Sequence, residues 1–226
     1  MLQMKKLLLS ILGCAVLTGT AYAGDEKITR GYNSNDSLGC MMLRECTDNV
    51  QRISSIKDIQ DSYPNSDYSA VATEFNEMLD SLDKIGVMVF LGDQKYFPIG
   101  NRGVYHTVSN NFFLNDAFMG RQSTLMSVVR HEGWHAAQDC MAGTIDNSLI
   151  AIILPEDDVP SIWREIAEKT YPKSVVPWEA EASWAGRTER MTADVLAACA
   201  GGKMWEIYPP TPLTREYLVK EGYITK

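Results

Sequence analysis

The chain has 226 residues, of which 45% are apolar and 22% are charged, an ordinary globular composition that excludes collagen-like and low-complexity proteins and suits a single domain. Lysine and arginine number 21 against 29 aspartates and glutamates, which gives a formal net charge of -8. Because phosphate binding needs concentrated positive charge, this acidic chain without a basic cluster is predicted not to bind nucleic acid.

Residues 1–23 are typical of a secretory signal. A basic start, an apolar stretch over residues 7–17 and the cleavage motif Ala21-Tyr22-Ala23 follow in the expected order. The apolar run is too short and too early for a spanning helix followed by a domain, so we expect export to the periplasm or the medium without stable membrane insertion. Residues 24–226 then form one domain. Lipid anchoring through Cys14 is a less favoured alternative, and a buried N-terminal helix is another.

Helical and extended patterns alternate in the first half of the exported chain. Apolar residues at helical spacing predict helices over residues 38–59 and 67–84. Short apolar runs then predict strands over residues 87–91, 103–108 and 111–114.

The second half of the chain is predicted to be helical. The predicted helices cover residues 121–141, 147–154, 161–170 and 178–200, and a short helix ends the chain. Glycines follow the first and the last of these four segments as stop signals. Since helices outnumber strands and the strands precede the longest helix, the predicted fold class is α+β.

The pentapeptide His131-Glu132-Gly133-Trp134-His135 lies inside the predicted helix 121–141. Residues four apart share a helical face, so both imidazoles can reach one ion, and Zn²⁺ accepts imidazole nitrogens and a carboxylate. Glu132 lies about 100° round the helix from His131. From the edge of the metal face it can take the proton of a water activated by zinc and pass it to a leaving amine. The alternative is a surface helix with two solvated histidines.

Two histidines leave a catalytic zinc one protein ligand short, and Glu179 and Glu181 at the start of the predicted helix 178–200 are the candidates. Residues two apart point about 200° apart on a helix, so only one of them can face the ion. Glu179 is favoured, because the residues on its face are small and permit close approach of another helix: Ala182, Ser183 and Gly186. Glu181 is the alternative. Both glutamates could instead be solvated and simply favour the helix dipole.

Four further residues are weaker candidates for polarising a scissile carbonyl group: Tyr105, His106, Tyr171 and Arg187. For Tyr105 and His106, a strand position that faces solvent or the core is the favoured interpretation.

Four cysteines follow the signal, and an even number in an exported chain suggests disulfides. Cys40 and Cys46 are six residues apart, which on one helix separates their Cα atoms by about 9 Å, beyond the ~7 Å limit of a bridge. A Cys40–Cys46 bridge therefore requires a non-helical chain near residues 39–42, which Gly39 permits. Cys140–Cys199 then follows by elimination. Crossed pairings and free thiols remain the alternatives.

The combination of His131-Glu132-x-x-His135 with a downstream Glu-x-Glu-Ala helix resembles the gluzincin metallopeptidases of the zincin superfamily. The arrangement of residues 103–115 before the motif is similar to that of small zincins. The resemblance spans residues 100–200 and implies a zincin-like fold, mainly helical, with a small sheet before the zinc helix and one strand forming the substrate-side edge. Gluzincins often carry Asp or Asn four residues after the ligand glutamate, where this chain has Ser183.

We therefore predict an exported peptidase that holds Zn²⁺ through His131, His135 and Glu179. Glu132 would act first as general base and then as general acid in the hydrolysis of a peptide or protein substrate. One alternative is an exported zinc-binding structural or interaction domain without turnover. Another is a binding protein that disulfides stabilise and that holds no metal.

Overall fold

The computed structural model describes residues 36–143 and 148–225, which form an α+β fold, as the sequence predicts. The predicted signal segment 1–23, with Cys14, lies outside the described residues. Within the described part of the chain, no helix is both long enough and apolar enough to cross a membrane.

Four short strands form one mixed sheet: β1 (Val50–Ile53), β2 (Met88–Gly92), β3 (Gly103–His106) and β4 (Asn111–Asn115). They lie side by side in the order β1-β2-β4-β3, so β3 forms one edge of the sheet. β2 runs parallel to β4, whereas β1 and β3 run antiparallel to their neighbours. The three strands predicted from apolar runs are confirmed as β2, β3 and β4.

Both faces of the sheet are covered, which explains why its central strands are apolar without alternation. Leu91 on β2 and Phe112 on β4 belong to the main core. Phe90 precedes Leu91 on β2, and Phe113 follows Phe112 on β4. Both phenylalanines belong to a second cluster, where their rings stack with centroids 5.3 Å apart. Met41, from the N-terminal helix, packs into this second cluster.

The described helices are α1 (Ser37–Met42), α2 (Ile56–Ser62), α3 (Ala72–Lys84), α4 (Gln122–Met141), α5 (Ser161–Thr170), α6 (Val176–Ala185), α7 (Met191–Ala200), α8 (Met204–Ile207) and α9 (Pro212–Lys220). The longest, α4, is the central element and packs against α3, α6, α7 and the edge strand β3. Every candidate side chain on these neighbours is therefore positioned relative to α4.

The single helix predicted over residues 38–59 is wrong, because the chain forms α1, β1 and α2 there. Arg44 and Asn49 adopt left-handed backbone conformations, with φ angles of 60° and 58°, which a helix cannot continue through. The second helix then begins at its own capping box, in which the side chains of Ser55 and Asp58 accept each other's backbone N–H groups. The helical spacing of apolar residues across this segment is a coincidence of three short elements.

The single helix predicted over residues 178–200 is also wrong, since residues 186–190 separate α6 from α7. Arg190 has a φ of 68°, and its backbone N–H donates to Glu74 Oε1 at 2.9 Å. The buried Glu74 carboxylate also accepts two hydrogen bonds from the Arg130 guanidinium of α4, at 2.8 and 2.6 Å. Burial alone would raise the pKa of Glu74, but these donors lower it, so the carboxylate stays charged and holds the break in place.

The helix predicted over residues 147–154 is wrong for its described part, residues 148–154, which is irregular. The N–H groups of Ile153 and Leu154 donate to the Glu181 carboxylate at 2.7 to 3.1 Å. The N–H group of Ala151 donates to the carbonyl oxygen of Gln138 at 3.0 Å. These bonds take backbone donors that a helix would use internally, and they fasten the segment to α4 and α6.

The favoured cysteine pairing is confirmed: Cys40–Cys46 and Cys140–Cys199 are bridged, with Cα atoms 5.2 and 6.3 Å apart. The reason given for the short bridge is wrong, because Cys40 lies inside α1 and the chain leaves the helix only after Met42. Cys199 reaches Cys140 because α7 is a separate helix that packs along α4. Two disulfides are consistent with an oxidising compartment.

Removing the Cys140–Cys199 bridge should destabilise the fold more than removing Cys40–Cys46. The two bridges join cysteines 59 and 6 residues apart. For these loop lengths the chain-entropy model gives about 4 and about 2 kcal/mol. Urea unfolding of the two Cys→Ser double variants, compared with the oxidised wild type, measures the difference. Equal losses, or a larger loss for the shorter loop, would contradict the expectation.

Candidate metal centre

His131 and His135 lie one turn apart on α4, with ring centroids 4.9 Å apart and ring planes nearly perpendicular. The carboxylate of Glu179, in the first turn of α6, lies beside both rings. Its Oε2 is 3.4 Å from His131 Nε2, and its Oε1 is 3.7 Å from His135 Nε2. One ligand atom from each of the three side chains lies within 4.8 Å of the other two. The structure thus brings together three residues that the sequence singles out as ligands.

The close approach of α6 to α4 depends on Gly186, directly after α6. A Cβ atom at this position would lie 3.0 Å from the carbonyl oxygen of Ser127 and 3.3 Å from the Cβ of His131. Since the Ser127 carbonyl belongs to the α4 backbone, a side chain at position 186 would push the two helices apart. Ala182, one turn earlier, is fully buried. Small residues therefore let Glu179 reach the histidines.

Glu132 lies beside this cluster and is held by the edge of the sheet. Its Oε2 accepts a hydrogen bond from the Tyr105 backbone N–H group on β3, at 2.9 Å. Gly103 makes the contact possible, because a Cβ there would lie 2.5 Å from Val128 Cγ1 and 3.2 Å from Glu132 Cγ. β3 thereby positions the Glu132 carboxylate next to His131 through a hydrogen bond that does not involve the His131 imidazole.

The orientation of His135 is set by Gln138 on the next turn of α4. The ring Nδ1 of His135 lies 2.8 Å from Gln138 Oε1. The amide nitrogen of Gln138 donates to the Trp178 carbonyl oxygen at 3.2 Å and to Glu181 Oε2 at 2.8 Å, which fixes the amide orientation. Since Gln138 Oε1 can only accept, His135 Nδ1 is the donor, and in the neutral imidazole the lone pair is on Nε2, facing Glu179.

Glu181, the alternative third ligand, lies outside the cluster. Its side chain is 1% exposed, and it accepts hydrogen bonds from Trp134 Nε1 and Gln138 Nε2 in addition to the N–H groups of Ile153 and Leu154. Burial raises the pKa of Glu181, although these four donors act against the rise. The residue therefore connects α4, α6 and the irregular segment, and through Gln138 it supports His135.

The charges in the cluster stabilise one another. Burial disfavours ionisation of Glu179, but the imidazoles of His131 and His135 outweigh it and hold the pKa of Glu179 well below its usual range. Burial likewise disfavours a charged imidazole at His135, but the adjacent carboxylates raise its pKa to about 9. A cation is therefore favoured at this point, whether it is a proton on His135 or a metal ion that displaces the proton.

Two observations indicate that the three side chains suit a metal ion. Glu179 Oε2 is buried and has no hydrogen-bond partner among the described residues, and a buried acceptor of this kind needs a cation or a donor. Ligand atoms bound tetrahedrally to zinc at about 2.0–2.1 Å lie roughly 3.3–3.4 Å from one another. The distances of 3.4 and 3.7 Å between the carboxylate oxygens and the imidazole nitrogens are close to that value.

The substitution Gln138→Met should weaken metal binding by about 10- to 100-fold, the usual effect of removing the partner that orients a histidine ligand. Methionine keeps the approximate size of the side chain, but its thioether is only a weak acceptor and does not replace the amide oxygen that accepts the His135 Nδ1–H bond. Competition with a chromogenic zinc chelator measures the affinity. The matched control is Gln51→Met on β1, an exposed position. An unchanged affinity in the Gln138 variant would contradict this arrangement.

A cleft of about 380 Å³ opens beside the cluster. Its lining includes His131 and Glu132 of α4, Trp163 of α5, Tyr171 directly after α5, and Arg187 of the α6–α7 connection. Burial raises the pKa of Tyr171, and the carboxylates of Glu179 and Glu132 add to the rise, so its phenol stays protonated. Tyr171 is thus a hydrogen-bond donor beside the cluster.

The other two weaker candidates make contacts of their own. The Tyr105 hydroxyl donates to the buried Asp139 Oδ2 at 2.7 Å. The His106 ring lies 2.7 Å from the Ser109 hydroxyl and is 8% exposed. Neither side chain belongs to the lining of the cleft, which agrees with the favoured interpretation of both as strand residues.

Two residues that organise the centre are not among those predicted from the sequence. Gln138 orients His135, and Glu74 fixes the break after α6 through the backbone of Arg190. Gln138 could have been noticed, because it follows His135 by three residues and so lies on the same helical face. No local pattern marks Glu74.

Comparison with protein-family models, with curated proteins and with solved structures finds no match to the chain.

Proposed function

We propose that the protein is a zinc-dependent peptidase of the zincin type. The observation that carries the proposal is the convergence of His131, His135 and Glu179 at ligand spacing, next to an open cleft that His131 and Glu132 line. Two imidazoles and one carboxylate are a ligand set that catalytic zinc uses, and three protein ligands leave a coordination position open. A purely structural zinc site is usually closed by four protein ligands.

Zn²⁺ bound here would act as a Lewis acid, making water more acidic and polarising the scissile carbonyl group. Glu132 supplies the proton transfer. Its carboxylate accepts a proton from the attacking water and delivers it to the nitrogen of the leaving amine. The hydrogen bond from the Tyr105 N–H keeps one carboxylate oxygen in place while the proton moves.

Tyr171 is the best candidate for stabilising the oxyanion. Its phenol lines the cleft and keeps its proton, because burial and the neighbouring carboxylates raise its pKa. A protonated phenol can donate a hydrogen bond to the carbonyl oxygen as negative charge develops on it.

The shape and the position of the cleft favour a peptide substrate. The edge strand β3 runs beside Glu132, and its Gly103 lines the cleft. Trp163 and Ile166 of α5 form an apolar wall that can hold a substrate side chain. Export of the chain is part of the proposal, supported by the two disulfides and by the signal-like residues 1–23.

The alternative is an exported zinc-binding structural or interaction domain without turnover. The observation in its favour is that gluzincins often carry Asp or Asn four residues after the ligand glutamate, whereas this chain has Ser183 there. A domain without turnover would keep zinc in the same place but would need no proton transfer from Glu132.

Zinc analysis combined with a peptidase assay tests the proposal. The purified protein should contain stoichiometric zinc and cleave an unfolded protein or a mixed peptide library. Treatment with 1,10-phenanthroline should remove the activity, and added Zn²⁺ should restore it. Bound zinc without cleavage of any substrate would favour the domain without turnover, and a protein that binds no zinc would refute both.

A further inference from the structure

Two arginines line the cleft without a carboxylate partner. Arg102 precedes β3, and Arg187 follows Gly186 directly in the α6–α7 connection. Both side chains belong to exposed residues, and among the described residues no carboxylate lies within 4 Å of either guanidinium group. The guanidinium of Arg102 packs over the Phe118 ring, with its carbon 5.5 Å from the ring centroid. That contact uses the face of the group and leaves its N–H donors for another partner.

Three other arginines in the described part of this acidic chain are paired with carboxylates: Arg52, Arg130 and Arg190. Arg52 lies 2.9 Å from Asp83, and Arg130 lies 2.6 Å from Glu74. With 29 acidic residues against 21 basic ones, carboxylates are in excess. Other described arginines, among them Arg121 and Arg215, also have no described carboxylate within 4 Å, but Arg102 and Arg187 are the two that line this cleft together.

The charge of the cleft is opposite to that of the whole chain. With Zn²⁺ bound to two neutral histidines, the charges of Glu179 and Glu132 cancel that of the ion. Arg102 and Arg187 then give the cleft a formal charge of about +2, whereas the chain carries -8. A negatively charged group is repelled by most of the surface and attracted to the cleft, which favours one direction of approach.

We propose that Arg102 and Arg187 bind a carboxylate group of the substrate, so that the preferred substrates are peptides with an acidic residue or a free C-terminus near the scissile bond. Each guanidinium fork matches the two oxygens of a carboxylate. Gly186 packs closely against Ser127 and His131, which positions the Arg187 backbone relative to the metal cluster. The apolar wall of Trp163 and Ile166 lines the same cleft and can hold a neighbouring apolar side chain.

The cleavage preference rests on the proposed function, but carboxylate binding can be measured without cleavage. The zinc-loaded Glu132→Gln protein is titrated calorimetrically with capped alanine octapeptides that carry one phenylalanine. One series carries a single glutamate at each position in turn, and its counterpart carries glutamine. A third series has neither residue but has a free C-terminus, which separates a side-chain carboxylate from a terminal one.

At least one charged series should bind about 5- to 30-fold more tightly than its neutral counterpart, as expected for partly exposed charge-assisted hydrogen bonds. Introducing Arg102→Gln and Arg187→Gln together should remove this advantage. Introducing Arg215→Gln, an exposed arginine on α9, should leave it unchanged. Equal binding of charged and neutral peptides, including no binding of any peptide, overturns the proposal. So does a preference that persists in the double variant.

Cleavage by the wild-type protein separates this proposal from the peptidase proposal. Peptide cleavage without any preference for a carboxylate leaves the peptidase proposal standing and refutes the role of the arginines. Carboxylate-selective binding without cleavage of any peptide supports the role of the arginines and refutes the peptidase proposal.

Discussion

Replacing Glu132 by glutamine is expected to lower kcat by about 10²- to 10⁴-fold, the usual contribution of general acid–base catalysis. Glutamine has the same shape as glutamate but cannot take the proton of the attacking water. Zinc content should stay at the wild-type level, because Glu132 is not among the proposed ligands, His131, His135 and Glu179. Peptidase kinetics and metal analysis on the same preparation give both quantities.

The matched control for this variant is Glu168→Gln on α5, an exposed residue outside the cleft. It should keep both zinc and turnover. Turnover of Glu132→Gln at the wild-type rate would show that another group acts as the base. Loss of zinc from Glu132→Gln would instead show that Glu132 is itself a ligand.

The second large effect is expected from His131→Ala, which should lose most of its bound zinc. Two remaining protein ligands make a poor zinc site, and the cavity left by the imidazole cannot replace the missing nitrogen. The measurement is metal content by mass spectrometry after dialysis against buffer with a weak chelator. Peptidase activity should fall in parallel with the zinc.

His106→Ala is the matched control, since His106 is the third histidine of the chain and lies outside the cluster. It should retain zinc at the wild-type stoichiometry. Stoichiometric zinc in His131→Ala would refute the assignment of the metal centre. Circular dichroism of each variant shows whether the fold survives the substitution, so loss of metal can be separated from unfolding.

The common face of His131 and His135 could be predicted from the sequence because it follows from helix geometry alone. The choice between Glu179 and Glu181 could not be settled in that way. Which face of α6 meets α4 depends on which groups the Glu181 carboxylate binds. Glu181 is occupied by the backbone of Ile153 and Leu154, in a segment that the sequence predicts as a helix.

Two of the wrong helix predictions have one physical cause, which is a buried carboxylate that takes backbone N–H groups from a distant segment. Glu74 binds the N–H of Arg190, 116 residues away, and thereby holds the break after α6. Glu181 binds the N–H groups of Ile153 and Leu154. A sequence window of helical length contains only one partner of each pair, so local periodicity continues across the break.

The third wrong helix has a different cause. Arg44 and Asn49 adopt left-handed conformations, which are uncommon for residues other than glycine. The chain can turn there because the Cys40–Cys46 bridge closes the turn and β1 pairs with β2. The pairing of the cysteines was therefore a better guide to this segment than the spacing of its apolar residues.

We propose that one zinc ion binds between α4 and α6, held by His131, His135 and Glu179. Anomalous diffraction at the zinc absorption edge, from crystals of the zinc-loaded protein, tests it most directly. We expect one anomalous peak at about 2.0–2.2 Å from His131 Nε2, His135 Nε2 and a carboxylate oxygen of Glu179. An ordered centre without a peak, or a peak bound by Glu181 in place of Glu179, would contradict it.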